Sequence, residues 1–182
     1  VLKMNQLYKI KNLTIPFHLA NSGNYNPEII KNLRNTYLSD LPNKKKLEGS
    51  KRIWISRQDA RLRKIINFHE IETILNNGGF QVVTFENIEN FSKHINLINN
   101  AEILGGLHGA GLSNMIFLRP GSKVIEVRGE NDNRNNAYFS LTSALGLDYY
   151  YLLTKTKNND FYHSNYYVDP KIFQDLIDRI LL

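Results

Sequence analysis

Cysteine is absent from all 182 residues, so disulfides and thiolate chemistry are excluded at the outset. No apolar run reaches the about 18 residues that a membrane helix needs, and no signal-like apolar region opens the chain. There is no Asp-x-Asp pair. The histidines His18, His69, His94, His108 and His163 are scattered rather than set at metal-ligand spacing, so no bound metal is expected. Gly-x-Ser-x-Gly is also missing, which removes the nucleophile elbow of a hydrolase: Ser113, beside a His-Gly turn, is followed by Asn114 and Met115. Net charge is +6, enough to welcome a phosphate-bearing partner. Without a basic helix or an aromatic-rich strand it does not describe a nucleic-acid binder.

With 42% hydrophobic and 11% aromatic residues the chain can bury a core, and its length suits one domain with an attached arm. It begins at Val1 rather than Met, which predicts a piece of something longer. Residues 1–50 read as that arm and a linker. A short extended piece runs from Asn12 to Ala20, a helix follows Asn26-Pro27 to about Leu38, and a polar stretch from Leu41 to Ser50 carries Pro42, Gly49 and three lysines. Residues 51–182 alternate. Strands are predicted over Lys51–Ser56, Phe80–Phe85, Glu102–Leu107, Lys123–Arg128 and Leu147–Leu153. Helices are predicted between them, one with Ile66, Ile71, Ile74 and Leu75 on its apolar face and one with Phe91, Ile95 and Ile98 inward. Ala137 to Leu145 and Pro170 to Leu182 complete the set. Such alternation with short joins specifies an α/β fold, a Rossmann-like parallel sheet with helices on both faces.

The most informative stretch is Leu104 to Leu118, an apolar strand that enters a glycine-rich turn with one histidine and then a helix. Gly109 and Gly111 let a backbone approach closely or take positive φ, and the amides from Gly109 to Ser113 at a helix start favour an anion. Ligands of open parallel sheets lie beyond the carboxyl ends of the strands, where the strand order reverses. With the order 2-1-3-4-5 that point falls between the first and third strands, so Arg57 and His108 share one crevice. An arginine fork, helix-start amides and a carboxylate at Glu126 able to hold ribose hydroxyls together describe a nucleoside diphosphate site. The bland readings are that the glycines serve packing, that His108 is a bonded loop residue, and that Glu126 pairs with Arg57 or Arg128. Arg61 and Arg63, two apart, do not share a helix face. The tyrosines at 149 to 151 read as core and surface strand residues.

At these positions the sequence resembles glycosyltransferase family 61. The likeness is carried by Arg52 to Arg63, Asn67, Gly79-Phe80, Ala101, His108-Gly-Ala-Gly-Leu-Ser-Asn-Met-Ile-Phe117, Pro120-Gly121 and Val124-Ile-Glu126, in matching order over about residues 50–153. The resemblance implies an inverting, metal-independent enzyme of the two-domain GT-B architecture, with this portion similar to its C-terminal, donor-binding half. It implies donor-binding roles for Arg57, Arg61, Arg63, Asn67, Gly109, Ala110, Gly111, Leu112, Ser113, Asn114 and Glu126, and a contact from His108 to donor phosphate or sugar. No cofactor is implied beyond a nucleotide-sugar substrate, uridine-based; the other partners are a glycan or protein acceptor and a missing N-terminal domain. The location implied is cytoplasmic for a bacterial member and the secretory lumen for a eukaryotic one. No carboxylate in the sequence is assignable to His108, so the general base is expected from the missing half. The alternative is a nucleotide-binding or interaction domain without catalysis of its own.

Overall fold

The computed structural model describes residues 6–9, 11–12, 14, 23–39, 51–85, 90–130, 132, 136–156 and 164–182. Most of the expected extended piece near Ile15, the lysine-bearing linker, His18 and His163 lie outside them. The element order is α1 (Pro27–Ser39), β1 (Arg52–Ile55), α2 (Phe68–Asn77), β2 (Phe80–Val83), α3 (Phe91–Asn99) and β3 (Ile103–Leu107). A 3₁₀-helix (Ala110–Phe117), β4 (Lys123–Gly129), α4 (Ala137–Leu145), β5 (Asp148–Thr156), β6 (Tyr166–Tyr167) and α5 (Pro170–Leu181) follow.

The sheet runs β2-β1-β3-β4-β5-β6. Its first five strands are parallel, in the order on which the shared crevice of Arg57 and His108 was conditional, and β6 adds an antiparallel edge through Lys155 and Thr156. Since strand side chains alternate between faces, each central strand feeds two cores. Ile53, Ile55, Leu104 and Val124 face a layer of α3, the 3₁₀-helix and α4, while Trp54, Ile103, Ile125 and Val127 face α2 and α5. Trp54 meets Phe173 of α5 edge-on at 5.4 Å. Helix α1 joins the first layer, where Ile30 and Leu38 pack against the core. Two ends show why the helices start where they do: Asn26 Oδ1 accepts from the amides of Glu28 and Ile29, and Asp169 Oδ1 from those of Lys171 and Ile172. Lys123 closes the far end of α5 by donating to the Ile180 carbonyl. Among the described residues no helix is long and apolar enough to cross a membrane.

Three local expectations are corrected. Ile66 is not on a helix face but 56% exposed, because the chain at Lys64 and Ile66 is tied to Tyr166 by two 2.8 Å backbone bonds, and α2 cannot begin before Asn67. Phe91 is 58% exposed and meets Tyr37 and Phe117 in T-shaped contacts, while Ile95 and Ile98 supply the buried face of α3. The segment after the glycine turn is a 3₁₀-helix rather than an α-helix, wound tightly enough to bury Leu112, Met115 and Phe117 in eight residues.

Candidate functional site

β1 pairs with β2 on one edge and β3 on the other, so the winding reverses direction between β1 and β3. Beyond the carboxyl ends of these two strands stand Ser56-Arg57 and His108-Gly109. Gly109 has φ 157 and ψ 172, a region open in practice to glycine alone, and this lets the chain leave β3 and turn at once into the 3₁₀-helix. A Cβ at Gly109 would lie 3.5 Å from one terminal nitrogen of Arg57 and 3.8 Å from one of Arg63. Arg63 itself holds φ 60, uncommon for a residue with a side chain. Thus both guanidinium groups are folded back over the glycine turn. Gly111 is close-packed for a different reason: its Cβ would meet the Ile55 side chain at 3.2 Å. The tight winding leaves fewer amides for a ligand than an α-helix would. Leu112 N–H already donates to Gly109 O at 2.9 Å, and the amides at the opening are those of Ala110 and Gly111.

Register explains the next layer. Gly106 pairs with Glu126, so His108, two residues on, faces the same side one step nearer the carboxyl end. Its Nδ1 meets Glu126 Oε1, while the Tyr149 hydroxyl donates to Glu126 Oε2. Glu126 is 1% exposed, with both oxygens occupied. A carboxylate buried in an apolar strand demands such partners. Burial, then the bond to Glu126 and its charge, push the Tyr149 hydroxyl well above the usual tyrosine range. Tyr138 of α4 packs edge-on to His108 at 5.1 Å and is also pushed up, chiefly by burial, with Ser113 hydrogen-bonded to it.

The open side of His108 faces a second carboxylate. Its Nε2 lies 3.6 Å from Asp132 Oδ2, and Arg128 clamps Asp132 through the side chain at 3.2 Å and the carbonyl at 2.6 Å. Tyr166, pushed up to about 12 mainly by burial, lies within the fields of Arg63, Asp132, Arg57 and Arg128 together. Three arginines, one histidine and two carboxylates therefore share one neighbourhood. Among the described residues no three His, Asp or Glu side chains are grouped to hold a metal ion.

Not every expected residue joins this cluster. Asn67 is buried, and its amide donates to Val168 O at 2.8 Å and accepts from Val168 N at 3.2 Å, a structural clamp between α2 and α5. Leu112 is fully buried core. Asn114 turns back to Gly111 O at 2.8 Å and to His94. Arg61 is exposed, without a hydrogen bond or ion pair to any described side chain. Glu126 does not present itself to a ribose, since its oxygens are spent and it has no surface. The carboxylate that the sequence could not assign to His108 is this one. Tyr138 and Asp132 were not singled out from sequence, Tyr149 was read as a strand residue only, and Arg128 only as a pairing partner for Glu126. The period-2 pattern of Val124-Ile-Glu-Val-Arg128 held the signal for Arg128, because 126 and 128 share a face.

The model of glycosyltransferase family 61 matches residues 2–125. The chain belongs to this family. As a family 61 member it matches from residue 2, through the stretch read as an arm, to Ile125, one short of Glu126. It is similar to the EGF domain-specific O-linked N-acetylglucosamine transferase of Gallus gallus, 30% identical over 106 residues, 56% of this chain and 19% of that protein. It is similar also to an alpha-1,3-arabinosyltransferase of Oryza sativa subsp. japonica, 32% identical over 94 residues, 50% of this chain and 15% of the relative. A beta-1,2-xylosyltransferase of the same plant is 34% identical over 68 residues, 37% of this chain and 12% of its own length. The matched part of this family 61 chain thus spans a fifth or less of each of these relatives.

Proposed function

We propose that this chain is the donor-nucleotide part of an inverting, metal-independent glycosyltransferase of GT-B architecture that uses a uridine diphosphate sugar. The observation that supports this best is the convergence at the β1–β3 switch point of Arg57, Arg63 and the Gly109 turn, beside a histidine backed by a buried carboxylate. A diphosphate needs several donors at once, and guanidinium forks with adjacent amides meet that need without a bound cation. N-acetylglucosamine, arabinose and xylose are the sugars in the relatives' names. We carry that class of donor to this chain, not one sugar, with a glycan or protein as acceptor, capsular polysaccharide included.

In inverting transfer the acceptor oxygen attacks the anomeric carbon as the bond from that carbon to the phosphate oxygen breaks. The electron pair leaves with the nucleoside diphosphate, and the acceptor's proton passes to a base. Arg57, Arg63 and the Ala110 and Gly111 amides would offset the charge that grows on the departing phosphate, which lowers the barrier. His108, its ring fixed by Glu126 at Nδ1, would flank that phosphate and help to position it. The base and most of the acceptor surface belong, in this reading, to an N-terminal domain upstream. The test compares sugar transfer by residues 1–182 with transfer by a protein that includes the upstream region. Transfer only in the longer protein is expected. Robust transfer by residues 1–182 alone would overturn the division of labour by placing the base inside this chain.

A further inference from the structure

Past the His108 cluster no helix among the described residues covers this face of the sheet. Tyr149, Tyr151 and Leu153 pair in register with Val124, Glu126 and Arg128 and so share the face on which α4 lies. Helix α4 meets Tyr149 through an edge-on contact from Phe139 at 5.6 Å. Beyond it, Tyr151 lies nearly parallel to Tyr149, with ring centres 6.1 Å apart. Phe139 is 53% exposed, Tyr151 58% and Leu153 47%. Together they form one cleft of about 390 Å³, within the usual size range of small-molecule sites.

The polar groups on the rim decide what such a cleft accepts. Glu130, Asp132 and Asn136 line it with Arg128, whose guanidinium is already clamped on Asp132. Two carboxylates against one paired cation repel a phosphate and accept hydrogen bonds from hydroxyl groups. Flat aromatic faces suit the apolar face of a sugar ring. The cleft also touches the candidate site directly: Asp132 stands 3.6 Å from His108 Nε2, and Tyr149 reaches Glu126. The guanidinium groups of Arg57 and Arg63 lie over the Gly109 turn, while Glu130, Tyr149 and Tyr151 line the cleft with Asp132. A second depression of about 280 Å³ shares Glu130 and Leu153 with the first and continues past Tyr167 and Ile172, each 52% exposed.

We infer that the cleft over Phe139, Tyr149 and Tyr151, rimmed by Glu130 and Asn136, binds a pyranose ring of a neutral acceptor glycan, and that the adjoining depression takes the next ring. The inference rests on the glycosyltransferase reading, and it puts one acceptor subsite in this chain rather than in an upstream domain. The test is saturation-transfer NMR of residues 1–182 with neutral xylo-, cello- and chito-oligosaccharides, alongside a calorimetric titration with uridine diphosphate. At least one oligosaccharide is expected to bind through its ring protons. Tyr151→Ala, at an exposed position, should weaken that binding about tenfold while the affinity for uridine diphosphate stays within about twofold. Phe139→Ala checks the same face from α4. No oligosaccharide binding by a protein that does bind uridine diphosphate would overturn the subsite alone. Weakened nucleotide binding in Tyr151→Ala would overturn it too, by giving the cleft to the base. Oligosaccharide binding without any nucleotide binding would instead defeat the donor reading.

Discussion

The two sides of His108 are built by opposite means. On the β1 side, the arrangement comes from backbone: Gly109 sits in a conformation reserved for glycine, Arg63 carries a positive φ, and two guanidinium groups fold over the turn. On the β5 side it comes from side chains on regular strands, where Glu126, Arg128, Tyr149 and Tyr151 occupy alternating positions of paired strands. The first side depends on local geometry and tolerates little change. The second depends on register and burial, so single side chains there can be altered with the backbone intact.

The largest effect should follow from Gly109→Val. A branched side chain is forbidden at that φ and ψ and would press on Arg57 and Arg63, so uridine diphosphate binding should vanish from a variant whose melting curve and circular dichroism match the parent. Unchanged affinity in such a variant would take the turn out of the site. Arg57→Ala comes next, with a loss of roughly 1.5–3 kcal/mol in diphosphate affinity and almost none for the nucleoside. The loss should shrink as salt is raised, because screening already weakens the parent's contact.

Glu126→Gln tests the other side. It keeps the shape but not the charge behind His108, and should cost about 1 kcal/mol in diphosphate affinity, less than Arg57→Ala because Glu126 acts only through the histidine. An effect larger than that of Arg57→Ala would reverse the roles of the two sides. Tyr166 offers a pH handle. The folded state holds its proton up to about 12, the unfolded chain only to the ordinary value of 10.0. The unfolded state therefore binds fewer protons between those values, and stability should fall as pH rises through that window. Tyr166→Phe should flatten the fall in a set of denaturant titrations; an unchanged slope would show that Tyr166 is not its source. The smallest effect belongs to Arg61→Ala, an exposed residue, for which nucleotide titration should give the parent's affinity.

How far the sequence carried depended on whether a feature is periodic. The parallel sheet and its helical cover were legible because short apolar runs around Ile53, Leu104 and Val124 alternate with helical stretches, whereas the order 2-1-3-4-5 entered only as a condition. The meeting of Arg57 with the His108 turn was legible too, since the switch point follows from strand order. The His108–Glu126 pair was not. It depends on the β3–β4 register, which sets Gly106 beside Glu126, and a one-residue slip would have turned Glu126 to the other face. Asn67 looked like a ligand residue because its partner, Val168, lies 101 residues away. Asp132 escaped notice in an asparagine-rich loop, where the clamp from Arg128 and its approach to His108 distinguish it.

The central claim is that this chain binds the diphosphate of its donor through Arg57 and the Gly109 turn, without a metal ion. Isothermal titration of residues 1–182 with uridine diphosphate and with uridine, each in the presence of a chelator, tests it most directly. The account predicts that the diphosphate binds at least about tenfold more tightly than the nucleoside, and that Arg57→Ala removes most of that difference. Equal affinities for the two, or diphosphate binding that appears only when a divalent cation is restored, would contradict it.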